Sequence, residues 1–142
     1  MNARLLLLAL VATACDSVPL GPLEENERLA VIRYRDEPVS INVPEVAEVG
    51  EDVTISVRTY AVVPCSEKGR THKVESGSKV ILEFVDSIPA PVSNSICSAA
   101  LEIYLREETL VFSEAGTAEI QVRGREWPED ELVTEKRKIL VQ

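Results

Sequence analysis

Three stretches of this chain alternate apolar and polar residues one for one, and that period decides the fold class. Val53, Ile55 and Val57 interleave with Thr54, Ser56 and Arg58; Leu101, Ile103 and Leu105 with Glu102, Tyr104 and Arg106; Ala118, Ile120 and Val122 with Glu119, Gln121 and Arg123. Successive side chains of a strand point to opposite faces, whereas a helix returns to the same face only every three to four residues. The pattern predicts half-buried antiparallel strands with the apolar set turned to the core. Residues 80–85 form a nearly unbroken apolar run of strand length, and Leu110, Val111 and Phe112 and residues 138–141 make shorter β-rich pieces. No window gives a convincing helical period.

Turn signals separate these runs: Gly50 with Glu51 and Asp52, Gly69 between Lys68 and Arg70, Gly77 between two serines, Gly116 between Ala115 and Thr117, and Pro128 after Trp127. Seven to nine short strands in residues 38–142 fit an all-β, antiparallel two-sheet sandwich. Two segments carry a resemblance. Pro44, Ala47 and the run Gly50, Glu51, Asp52, Val53, Thr54, Ile55, Ser56 and Val57 resemble the first two strands of bacterial immunoglobulin-like domains. Residues 112–124, around Gly116, resemble the turn and penultimate strand of the same folds. That resemblance implies an immunoglobulin-like sandwich and no particular activity. Ala118 stands where many such domains place a corner tyrosine, and Trp127 lies beyond both later cysteines rather than between them.

The first 14 residues differ from the rest. One positive charge at Arg4 precedes an apolar run of ten residues, 5–14. At about 1.5 Å per residue that run reaches only about half of a ~30 Å hydrocarbon core, so it reads as a signal peptide and not as a spanning helix. Val11, Ala12, Thr13, Ala14 and Cys15 resemble a bacterial lipobox, with Ala12 where that motif usually has leucine. The resemblance implies a diacylglycerol on Cys15, and Asp16 directly after it hints at retention in an inner membrane. Ala12 and Ala14 equally satisfy the small-residue rule for ordinary secretory cleavage. Residues 15–37 then read as the lipidated cysteine and an extended tether, with two prolines, a glycine and an acidic cluster, although residues 29–34 are apolar enough for a first strand.

Three cysteines in an exported chain leave one unpaired. Assigning Cys15 to a thioether leaves Cys65 and Cys97 as a structural disulfide, the form expected of cysteines in an oxidising compartment. Nothing in their spacing resembles the Cys-x-x-Cys of a redox or metal pair.

The chain offers little chemistry. His72 is the only imidazole, read as a solvated loop residue among cations. One histidine with two oxidised cysteines does not make a zinc set. The acidic clusters Glu24, Glu25 and Glu27, and Glu129, Asp130 and Glu131, lack a calcium-loop signature. No Gly-x-Ser-x-Gly elbow and no phosphate-binding glycine loop occur. A net charge of −9 argues against nucleic acid; the basic run Lys136, Arg137 and Lys138 reads as a charged edge strand. Trp127 is the candidate for partner contact, or else a cap over the end of the core. The expectation is a lipid-anchored protein of the bacterial cell envelope, facing the periplasm or exterior, with no cofactor or metal, acting as a non-enzymatic binding or structural module. Two alternatives are an accessory subunit of an envelope assembly, which would expose an apolar patch on one sheet, and a secreted hydrolytic or metal-dependent enzyme.

Overall fold

Alternation, apolar runs and glycine turns together place strands along most of the chain, and the computed structural model describes residues 21–89, 97 and 100–142. Within them the regular structure is entirely β. Ten strands follow in order: β1 (Glu27–Leu29), β2 (Val31–Tyr34), β3 (Ile41–Asn42), β4 (Val46–Ala47), β5 (Asp52–Ala61), β6 (Glu67–Ser76), β7 (Lys79–Ser87), β8 (Glu102–Val111), β9 (Gly116–Trp127) and β10 (Leu132–Val141). Cys15, the leader and the start of the tether lie outside the described residues.

The strands form one mixed sheet of ten strands, whose two arms, or wings, contribute side chains to one buried cluster. β3, β5 and β8 make one wing; β6, β7, β9 and β10, with β4 beyond it, make the other. β2 joins them by pairing with both β5 and β9. The antiparallel expectation needs correction, because β7 with β9, β2 with β9 and β4 with β10 run parallel. The cause is connectivity: the chain leaves β7, makes β8 in the opposite wing and returns as β9. Such a crossover delivers two parallel strands side by side. A period of two reports the faces of a strand but not its direction.

The first strand expected within residues 29–34 is present, as the end of β1 and all of β2, and it is built into the sheet instead of forming the end of a tether. β7 and β9 pair from Lys79 with Glu119 to Glu83 with Arg123 and then diverge. The N-terminal segment fills the fork, with β1 against β7 and β2 against β9. Ala30 sits at the crotch: its N–H donates to Phe84 O at 2.8 Å, and its carbonyl accepts from Arg125 N at 3.0 Å. Gly124 makes the approach possible, since a Cβ there would stand 2.7 Å from both Ala30 O and Ile32 Cγ2. Leu29, Ala30, Val31 and Ile32 are all buried.

The Gly69 signal is a bulge and not a turn. β6 runs through it, and its register against β7 slips between Lys68 and Thr71. A Cβ on Gly69 would meet Val85 O at 2.7 Å, so the bulged backbone lies against β7 with no room for a side chain. His72 is therefore a strand residue.

The wings enclose a single core. Val53, Ile55 and Val57 of β5 and Leu110 of β8 face Val80, Leu82 and Phe84 of β7, Ala118, Ile120 and Val122 of β9, and Ile139 and Val141 of β10. Burial of each larger side chain contributes about 1.5–3 kcal/mol.

Candidate interaction face

β8 is turned the other way from its apolar pattern. Its pairing with β5 runs unbroken from Val111 opposite Asp52 to Glu102 opposite Ala61. Leu110 opposes Val53 and is buried in the core. On an unbroken strand, residues five apart lie on opposite faces, so burying Leu110 sends Leu105 outward, with Ile103 beside it. Ile103, Leu105 and Val111 are 57%, 56% and 51% exposed. The sequence expectation that Leu101, Ile103 and Leu105 line the core is corrected on this point. The apolar set lies on the outer face.

The inward face of β8 consequently carries Tyr104, Arg106 and Glu108, and the opposite wing is built to receive them. Arg106 is only 5% exposed and binds Asp86 of β7, itself 6% exposed. The same guanidinium donates to Val85 O at 3.3 Å, to Gly69 O at 3.4 Å and to Thr59 Oγ1 at 3.3 Å. Burial pushes the Asp86 carboxyl up to about 6, with the charge of Arg106 opposing the rise. Glu108 accepts from Lys73 Nζ of β6 at 3.0 Å and raises that ammonium's pKa. Tyr104 donates to Ser66 O at 2.9 Å and to Glu102 Oε2 at 2.6 Å, and the carboxylate partner pushes the phenol up to about 12. The bonds of Arg106 to β6 and β7 and of Glu108 to β6 bridge the two wings with polar chemistry, while Ile103 and Leu105 on the other face of β8 are left to the solvent.

An aromatic row leads to the same face. Trp127, half-buried at the end of β9, stands opposite Tyr34 of β2. Tyr34 stacks on Tyr60 of β5 with centroids 5.4 Å apart, and Tyr60 stands opposite Ile103 of β8. Arg35 covers the Tyr34 ring at 5.1 Å, and Tyr60 donates its hydroxyl to Glu37 Oε2 at 3.0 Å. Trp127 and Leu101 line one cleft of about 110 Å³ with Tyr34 and Pro64. Trp127, singled out from sequence among the few aromatics, thus adjoins the start of β8, with Tyr34 and Tyr60 beside it.

Cys65 and Cys97 form a disulfide with Cα atoms 5.2 Å apart, within the usual span. It ties the end of the β5 wing to the approach to β8. Cys65 takes a left-handed backbone, φ 64°. With Glu67, Glu102 and Tyr104 the pair lines a cleft of about 490 Å³.

The remaining candidates are held by neighbours. His72 Nδ1 lies 3.6 Å from Glu83 Oε2, and a Cβ on Gly21 would stand 3.4 Å from its ring. Glu27 binds Arg70, whose guanidinium holds the carboxyl down at about 2. Asp130 binds Arg28 and Arg125 and is lowered in pKa by them. Arginines therefore neutralise one acid of each cluster considered for calcium. Among the described residues no three His, Cys, Asp or Glu side chains gather as a metal site, and no helix is long and apolar enough to cross a membrane. No protein-family model, no curated protein and no solved structure matches the chain.

Proposed function

We propose that this chain is an exported, lipid-anchored binding or structural module of a bacterial envelope, which engages a protein partner through the outer face of β8. The observation that carries the reading is the aliphatic group Ile103, Leu105 and Val111, each more than half exposed on one face of a single strand, with Ile103 and Leu105 the most exposed large apolar side chains among the described residues. Exposed apolar side chains grouped on one face mark interaction surfaces. The lipobox-like Cys15 supplies the anchor in this reading, and the Cys65–Cys97 bond fits an oxidising compartment. The immunoglobulin-like sandwich belongs to the same proposal; the junction at β2, which joins two wings that share one buried cluster, supports it.

A photo-crosslinking side chain at Leu105, introduced into the full chain in its native envelope, tests the binding face. The expected result is a discrete protein adduct from position 105 and none from Thr134 on β10. Equal labelling from both, or none from either, would contradict it. Mass spectrometry of the N-terminal peptide tests the anchor: the reading requires Cys15 at the N-terminus with acyl mass attached.

A further inference from the structure

We propose that the occupant of the β8 face is a second copy of this chain, packed face to face about a two-fold axis. The inference rests on reading that face as a binding surface, and it names the partner. Edge pairing is disfavoured, because Lys68 Nζ of β6 already donates to the backbone carbonyl Leu105 O at 3.2 Å. A strand added along β8 would displace this bond. The outward face is open.

That face is complementary to itself in charge. Arg58 of β5 stands opposite Leu105, and Ser56 opposite Glu107. Arg58 and Glu107 are thus exposed diagonal neighbours, about 7–8 Å apart by the geometry of antiparallel pairs. A two-fold axis along the strands, between β5 and β8, lays each β8 over the β5 of the other copy in an aligned packing. Leu105 then covers the aliphatic stem of the second copy's Arg58, and Glu107 stands diagonal to that guanidinium. The match occurs twice by symmetry.

Size sets the strength. Two ten-residue strands make a face about 34 Å long and about 10 Å wide, small beside the ~800 Å² per partner of a standard interface. Two chains of net charge −9 also repel, although a screening length of ~8 Å in physiological salt confines this to short range. The contact is therefore weak in dilute solution, and copies held on one membrane gain from their local concentration.

Sedimentation velocity of the full chain from ~10 μM to ~1 mM in ~0.15 M salt reads it directly. Reversible dimer formation is expected. Leu105→Glu should weaken it at least ~10-fold. Arg58→Glu and Glu107→Arg should each weaken it, and the two together should restore it. Unchanged melting curves show that the variants fold. A monomer throughout, or a dimer indifferent to all these changes, overturns the proposal. A monomer that still gives the Leu105 photo-adduct with a different protein rejects the second copy and leaves the binding face standing. Loss of both rejects the two readings together.

Discussion

Arg106 of β8 binds Asp86 of β7 in the opposite wing, and this buried pair accompanies the turning of Ile103 and Leu105 away from the core. Removing one partner strands a charge in the interior. Arg106→Leu alone, or Asp86→Leu alone, should cost about 3–5 kcal/mol, whereas the double leucine variant should recover most of that loss. Urea denaturation of the four proteins measures it; a double variant as unstable as the sum of the singles would contradict the pairing.

The same pair sets a pH dependence. Because burial raises the Asp86 carboxyl from 3.8 to about 6, the folded state binds that proton more tightly than the unfolded chain. Its stabilising contribution is full below 3.8 and is lost as the pH rises through about 6, a change of about 3 kcal/mol. Glu27 has the opposite sign: held at about 2 by Arg70, it contributes above 4.5 and loses that contribution as the pH falls. Being at the surface, it matters little. The melting temperature of wild type should therefore fall between pH 4 and 7, relative to that of Asp86→Asn, by on the order of 5–10 °C. Parallel pH profiles for the two proteins would contradict this.

Closing a loop across 32 residues restricts the unfolded chain, and the loop-entropy relation gives roughly 3–4 kcal/mol for that length. Cys65→Ser and Cys97→Ser should each lower stability by about that amount, and the double variant by no more than either single. Calorimetry under non-reducing conditions reads the difference; a melting temperature unchanged in all three would remove the disulfide from the account.

Much of this fold was legible in the sequence, and the misses have physical causes. The alternation through β5 and β9 and the apolar run of β7 announced their strands, because each packs against the core. β6, Glu67–Ser76, carries no such rhythm: it is an edge strand with little burial on either face, and charge there discourages pairing with other sheets. Within 27–34 the apolar residues 29–34 read as a strand, but Arg33 and Arg35 argue against its burial, and the fork that buries it is made by strands far along the chain. For β8 the signal was present but divided. Read as two pieces, 101–106 and 110–112, the segment allowed both Leu105 and Leu110 to face inward; read as one strand, their odd spacing forbids it. Which of them wins depends on Asp86 and Lys73, which wait in the opposite wing for Arg106 and Glu108.

The outward orientation of Ile103 and Leu105 is the claim on which both the binding face and its occupant depend. Methyl resonances of the folded protein, recorded at low concentration with a soluble paramagnetic chelate, test it residue by residue. Ile103 and Leu105 should be strongly attenuated while Ile55 and Leu110 are protected; protection of Ile103 and Leu105 to the level of Ile55 would place them in the core and contradict the account.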